Sequence, residues 1–384
     1  MRVIVSSPDK FHAYHIARGA QRAGVLQRFI TTRYDRYESG IDRNRVRQVR
    51  SAWLIAQLLS IVPGQNVPYW SYWLTDNLFD GMSARWIEAC DIFNCFNSAG
   101  LYAMRRAKAL GAITLVERSA AHPETQAEIL SEEYEKYGRS LPSVFRRLVR
   151  KQVLEYEEAD VIVVASEFVR RTMIAHGVPS NRMRLVPLGF EAQRFAPGTQ
   201  DDSTFRVLYV GAISLHKGIV YLLEAFRRLA LPDSELVLVG ALFPEVRALL
   251  EDYEGCYRHV PFVPQHKLVE YYQNASVFVM PSLQDGFGMV VYEAAACGLP
   301  VIITENVGAE IRDGQDGFVV PIRDAQAIAE RLLYLYQHPQ KRMEMGHAAC
   351  AYVQQFTWEN YHRKIIGHYE ELLANKRPMA DRLA

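Results

Sequence analysis

Residues 281–302 read PSLQDGFGMVVYEAAACGLPVI. Three pieces follow one another: a polar loop at 283–288, a helix at 289–297 and a buried strand at 301–303. Gly298 and Pro300 end the helix, because glycine takes the left-handed turn that closes a helix and proline cannot continue one. The loop carries an acid, Asp285, then Gly286, Phe287 and Gly288. A second acid, Glu293, falls in the second helical turn. Loops of this kind bind anions: the first helical N–H groups lack intrahelical partners, and the helix dipole adds positive charge. Two carboxylates would repel a bare phosphate, so they suit hydroxyl groups attached to one. A phosphate flanked by polyhydroxylated rings is a sugar nucleotide. The competing reading is a surface turn with solvated acids.

Outward from this stretch, 384 residues suggest two domains, since single cores rarely grow past about 250 residues. The balance of apolar and charged residues is that of a soluble globular protein. No apolar run reaches the roughly 18 residues of a spanning helix; the longest candidate, residues 52–62, contains Gln57 and Ser60. Residues 2–6 read as a strand followed at once by Asp9 and Lys10, unlike a signal peptide. Cys90, Cys95, Cys256, Cys297 and Cys350 are scattered, which implies reduced thiols in a cytoplasm. Cys90 and Cys95 lack the second pair a zinc site needs. Residues 1–190 carry a net +7 and the remainder −6. The basic first half suits a membrane face, a lipid phosphate or an acidic glycan, or it serves attraction between the two halves.

The first half alternates short apolar runs (3–6, 26–31, 91–96, 113–117, 161–165, 184–187) with helical segments such as 101–110 and 167–175. Continuous apolar runs suit a parallel sheet covered on both faces. Ligands in such sheets collect outside the carboxyl ends of the strands. His12 and His15 follow the first strand, and Glu117-Arg118-x3-His122 follows a later one. Trp53, Trp70, Trp73 and Trp86 fall within residues 43–90, which we read as a helical hairpin with large buried aromatics; an exposed sugar or lipid platform is the alternative. Two basic clusters, Arg43, Arg45, Arg47 and Arg50, and Arg146, Arg147, Arg150 and Lys151, are candidates for a membrane-facing surface.

In the second half, a strand at 205–210 runs into Gly211-Ala212-Ile213-Ser214-Leu215-His216-Lys217-Gly218 and a helix at 219–229, a cradle for a diphosphate. Strands at 235–239, 257–262, 275–280 and 316–321, then helices at 324–337, 340–354 and 357–375, complete it, with a tail expected to fray after Lys376.

The stretch D-G-F-G-x4-E followed by A-x-G-x-P-V-I resembles the E-x7-E signature of retaining glycosyltransferases of the large family 4, which have the GT-B fold. Asp285 stands where the first Glu is usual, and Ala212 where an Arg is usual; Lys217-Gly218, E-R-x3-H and V-P-L-G-F-E also resemble family segments. The resemblance implies an α/β protein of two Rossmann-like parallel-sheet domains facing across a cleft. The first spans residues 1–189, completed by a C-terminal helix (357–384) that crosses back, and the second spans 190–356. It implies that Glu293 holds ribose hydroxyls. Asp285 and the backbone of Gly286, Phe287, Gly288, Met289 and Val290 hold sugar hydroxyls and the β-phosphate. Gly211, Ser214 and His216 line the diphosphate loop, and Val263 meets the nucleobase. Lys217 neutralises the leaving diphosphate, and His122 approaches the donor sugar.

The resulting expectation is a retaining, metal-independent hexosyltransferase, cytoplasmic or at the inner face of the cell membrane, acting in envelope polysaccharide or glycolipid biosynthesis. It needs no cofactor; a UDP- or GDP-sugar is its co-substrate. Its partners are a glycan or lipid-linked acceptor and an anionic membrane touched peripherally, with no nucleic acid. A sugar-nucleotide epimerase of the same fold and a non-catalytic nucleotide-sugar binding protein are the alternatives. A nicotinamide oxidoreductase fits less well, because neither half has a G-x-G-x-x-G after a strand.

Overall fold

The computed structural model describes residues 1–10, 12–60, 67–198 and 202–380. The end of the 52–62 run and the last four residues of the tail lie outside them. By its internal contacts the chain divides into two compact units: Met1–Ala127 with Ser140–Pro187 and Trp358–Ala384, and Glu128–Arg139 with Leu188–Thr357.

The first unit is built on seven strands: β1 (Val3–Ser7), β2 (Leu26–Thr31), β3 (Val46–Gln48), β4 (Ile92–Phe96), β5 (Ile113–Arg118), β6 (Val161–Val164) and β7 (Met183–Leu185). Their order is β3-β2-β1-β4-β5-β6-β7, and every pairing is parallel. β1, β4 and β6 are buried at every residue, which explains their unbroken apolar character. The short β3 was not anticipated. It alternates with arginines, and of its three residues only Val46 is buried, so the apolar signal is a single residue.

The C-terminal helix, Trp358–Ala380, packs on the Ala13–Arg22 helix of this unit. The Trp358 ring stacks on His15 (3.5 Å between centroids, 9° between planes), and Tyr369 OH lies 2.6 Å from the Asn94 amide on β4. The described backbone is helical through Ala380, past the expected fraying point at Lys376. The tryptophan-rich hairpin exists as Arg50–Ser60 and Val67–Ser83. Its aromatics are not all buried: Trp53, Trp73 and Trp86 are half-buried and Trp70 is exposed. The hairpin covers the core with one face, led by Phe79 and Ala52, and leaves the other to solvent.

The second unit holds six parallel strands: β8 (Phe205–Val210), β9 (Ser234–Val239), β10 (Arg258–Val260), β11 (Val277–Met280), β12 (Val301–Thr304) and β13 (Gly317–Val320), ordered β10-β9-β8-β11-β12-β13. The strand order reverses between β8 and β11, and the loops leaving these two strands flank the crevice where open α/β sheets bind ligands. Those loops are residues 211–218 and 281–288. The first unit has its equivalent reversal between β1 and β4.

Candidate functional site

The two second-unit loops are stitched together. Gly218 has φ +65° and opens the Ile219–Leu229 helix. A Cβ there would collide with the Pro281 carbonyl, so only glycine permits this approach. Leu283 N donates to the His216 carbonyl (3.0 Å). On its far side the 281–288 loop is tied to the residues after β12: Asp285 N donates to Asn306 O (2.9 Å) and Gly308 N to Asp285 O (2.7 Å). Gly288, at φ +65°, caps the Met289–Ala296 helix, with its Cα packed so that a Cβ would meet Val307 Cγ1 at 2.9 Å. The Phe287 ring is buried edge-on against Tyr292, which stacks on Phe356. Its side chain therefore anchors the loop, and only its backbone is available to a ligand.

Lys217 and Asp285, 68 residues apart, form a direct ion pair, each side chain about one-fifth exposed. Burial pushes the Asp285 carboxyl up, but the Lys217 charge and hydrogen bond, with His216 and the Phe287 N–H, outweigh it and hold the carboxyl below its usual value. His216 turns Nδ1 to Ser214 Oγ (3.0 Å). Burial, then the neighbouring Lys217 charge, lowers its pKa to about 3. A neutral imidazole supplies an N–H but no charge, so His216 does not replace the cation that Ala212 lacks. Ala212 itself uses its carbonyl to accept from the Tyr209 hydroxyl (2.6 Å).

Glu293 is buried, with Oε1 accepting from Gln265 Nε2 (3.0 Å) and Oε2 from the Tyr272 hydroxyl (3.0 Å). Burial raises its pKa despite those two hydrogen bonds and Arg194. Gln265 ends the Val263-Pro264-Gln265 segment, which resembles the family's nucleobase-facing stretch, whereas Tyr272 carries no such signal; both lie on the Gln265–Gln273 helix, and no local pattern identifies Glu293 as their partner. Val263 is half-buried just before that helix. Met289 is exposed and Val290 half-buried at the helix mouth. The Gln284 side-chain oxygen, also unanticipated, is buried without a hydrogen-bond partner among the described residues. The loops thus bring together Gly211, Ser214, His216, Lys217, Asp285 and Gly286 at one edge of the sheet, with Glu293 one helical turn deeper.

His122 belongs to the first unit, four residues beyond β5. It is buried, its backbone N–H donating to Thr172 Oγ1 (2.9 Å) and its ring stacked on His176 (4.1 Å, 12°). Nδ1 accepts from the Glu124 N–H (3.3 Å), which leaves the proton on Nε2. Burial, then His176 and Arg118, lowers its pKa to about 3, so the imidazole is neutral at pH 7 and can donate to a hydroxyl.

Among the described residues, His122, Glu124 and His176 have ligand-type atoms within 4.8 Å of one another. Stacked rings direct their in-plane lone pairs along nearly parallel planes, so the two imidazoles do not converge on one ion as they stand. His12, at the N-cap of the Ala13–Arg22 helix, is buried against Phe96 with Nε2 3.3 Å from the Glu117 carboxylate, whose other oxygen accepts from Asn94. Cys90 and Cys95 are free thiols, both buried.

Comparison with known proteins gives a consistent picture. Residues 11–189 match the glycosyl transferase 4-like domain, and residues 190–351 match the glycosyl transferases group 1. A D-inositol 3-phosphate glycosyltransferase from Acidothermus cellulolyticus is 32% identical over 260 residues, covering 58% of this chain and 57% of its own length. The amylovoran biosynthesis glycosyltransferase AmsK of Erwinia amylovora is 28% identical over 200 residues, 47% of this chain and 49% of its own. The chain spans 57–62% of the length of the first curated relatives it matches. Among solved structures, a sucrose-phosphate synthase from Thermosynechococcus elongatus superposes with a TM-score of 0.73 at 20% identity, covering 98% of this chain and 100% of that one. Anabaena HepE in complex with UDP-glucose gives 0.66 at 16% identity, covering 97% and 100%.

The two Rossmann-like sheets, of seven and six strands, define a GT-B protein. The chain belongs to the family-4 glycosyltransferases of that fold.

Proposed function

We propose that the chain is a retaining glycosyltransferase that moves a hexose-type sugar from a nucleoside diphosphate to an acceptor hydroxyl. The observation that carries this reading is the Lys217–Asp285 pair, held by two stitched loops at the β8/β11 reversal, with Glu293 in the helix behind. A cation beside backbone N–H groups suits the diphosphate, and preorganised charge at the leaving group is where electrostatic catalysis has most leverage. Asp285 suits sugar hydroxyls, and Glu293, positioned by Tyr272 and Gln265, suits the ribose. UDP or GDP is the nucleotide.

In the proposed step the C1–O bond breaks and its electron pair goes to the β-phosphate oxygen. The acceptor oxygen bonds to C1 on the same face, and its proton passes to the departing phosphate. Lys217 meets the developing phosphate charge, so the reading needs no metal. His122 Nε2–H donates to a sugar hydroxyl of the donor.

The acceptor is a glycan or lipid-linked saccharide of envelope polymer or glycolipid synthesis, met in the cytoplasm or at the inner membrane face. Exposed Leu54, Leu58, Trp70 and Leu74 on the hairpin support a peripheral membrane contact, beside the exposed Arg146, Arg147 and Arg150, with Arg147 over the Trp70 and Trp73 rings (5.5 Å each). No described helix is long and apolar enough to cross a membrane.

The deciding experiment is a panel of UDP-, GDP- and ADP-sugars, measuring nucleotide release with and without membrane extract and with EDTA, and the anomeric configuration of the product. Acceptor-dependent release with retained configuration supports the reading. Interconversion of the donor without acceptor would make it an epimerase, and binding without release a non-catalytic protein.

A further inference from the structure

A cavity of about 580 Å3 opens in the first unit beside the ends of three neighbouring strands. Lys10 follows β1, Arg33 follows β2 and Arg50 follows β3, so three cations reach one spot from separate parts of the chain. This is the carboxyl edge of a parallel sheet, where ligands collect. Tyr14, Tyr34 and Trp53 also line it. The cations are not equally committed. Lys10 pairs with Glu38 and leans over the Tyr14 ring (5.9 Å). Arg33 and Arg50 are exposed, and neither has an ion-pair partner among the described residues. Asp35, the acid on the rim, accepts the Glu38 N–H (3.0 Å) as the cap of the short Arg36–Ser39 helix. Two guanidinium groups without an ion-pair partner among the described residues therefore line the cavity; its rim acid Asp35 serves as a helix cap, and the Arg33 charge offsets part of the rise that burial gives the Asp9 carboxyl.

We infer that this pocket binds the phosphate or pyrophosphate group of the acceptor. Guanidinium groups match phosphate oxygens in planar, two-point fashion. The volume lies within the roughly 300–1,000 Å3 of small-molecule sites, so a sugar ring or the first part of a lipid chain fits beside the anion. The aromatic walls suit the apolar face of either. The net +7 of residues 1–190 favours the same class of ligand. The word acceptor rests on the transferase reading; the binding of the anion does not. A lipid-linked phosphate and a soluble sugar phosphate share this chemistry.

The test is calorimetric titration of inorganic pyrophosphate into the full chain. The donor site is first saturated with the nucleoside diphosphate that the donor panel selects. Wild type should bind, Arg33→Gln and Arg50→Gln should each weaken binding about tenfold, and the double variant should lose it. Arg33→Lys with Arg50→Lys should retain part of the affinity. Nucleotide affinity and unfolding midpoint should not move, because both side chains are exposed. Equal pyrophosphate affinity in wild type and double variant, or none in wild type, overturns the proposal. If the panel selects no nucleotide, the transferase reading fails, and the same titration without nucleotide still decides the pocket.

Where release is seen, three acceptor arms separate the sources: polyprenyl phosphate in vesicles, a hexose 6-phosphate and the unphosphorylated hexose. Stimulation by either phosphorylated arm that is lost in the double variant supports the site and names its source. Stimulation by the unphosphorylated hexose alone overturns it.

Discussion

At the scale of single residues, the Lys217–Asp285 pair has two tasks that oppose each other. On the proposed reading, Asp285 keeps the ammonium in place, yet its negative charge would repel an incoming diphosphate. Asp285→Asn should therefore tighten binding of the free nucleoside diphosphate severalfold while lowering kcat by about 100-fold, because the hydroxyl contact in the transition state is weakened. Titration calorimetry alongside steady-state kinetics reads both; a loss of nucleotide affinity would contradict the arrangement. The buried histidines give a second expectation. Burial lowers His15 to about 2, His122 and His216 to about 3, and His362 to about 4. In the unfolded chain these rings take up protons near pH 6.5, so their contribution to stability is complete above that pH and drains away as pH falls toward 4. Glu155, pushed by burial to about 7, acts in the opposite sense over part of the same window. Asp9, Asp76, Glu245 and Glu293, also raised by burial, oppose the histidines in the same sense as Glu155, so each neutral histidine contributes its own fall in thermal midpoint between pH 6.5 and 4.5 against them. His216→Asn should flatten that slope.

At the scale of elements, the loops after β8 and β11 form one construction. Gly218 lies under the Pro281 carbonyl, and it adopts its left-handed φ at little cost, as other residues do not. Gly218→Ala should lower the thermal midpoint of the second unit and cost about 2–3 kcal/mol, through positive φ plus a backbone clash. An unchanged midpoint would mean that the two loops are not in contact. Much of this construction was legible beforehand. The strand at 205–210, the helix at 219–229 and the 289–296 helix follow from apolar runs, glycines and a proline stop. The partners of Glu293 were not. Tyr272 and Gln265 reach it from another helix, and nothing in their own neighbourhood marks them as its partners. The tryptophan hairpin was legible as helices but not as a surface. Composition favours burial of large aromatics, whereas exposure of Trp70 depends on which face the hairpin turns to the core.

At the scale of the whole molecule, residues 128–139 group with the second unit although they lie in the middle of the first half of the chain. Within that unit Glu133 is buried and accepts from the Tyr221 hydroxyl (2.9 Å) and Arg323 Nε (2.9 Å). Arg323 also pairs with Glu132 (2.9 Å) and donates to the Ile129 carbonyl (2.8 Å), from a left-handed backbone position at φ +62°. Arg323→Ala would leave Glu133 buried beside fewer donors. The expected cost is about 3 kcal/mol in the second unit's unfolding, with earlier proteolytic cleavage within 128–139. A midpoint and cleavage pattern like wild type would show that Arg323 does not hold the segment.

The sequence by itself determined the fold class, the parallel strands and the two glycine-bearing loops after β8 and β11, because these rest on local signals: continuous apolar runs, glycines at forced turns, a helix stop. It also supplied the candidates of the proposed site, Asp285, Glu293, Lys217 and His122, from residue type, position and family resemblance. Only the tertiary structure decided which groups meet. The Lys217–Asp285 pair spans 68 residues. The Glu293 hydrogen bonds span 28 and 21 residues, and the His12–Glu117 contact spans 105. The three cations of the first-unit pocket come from the ends of three strands. Such pairings are set by strand order and by packing across the sheet, and no local pattern encodes either.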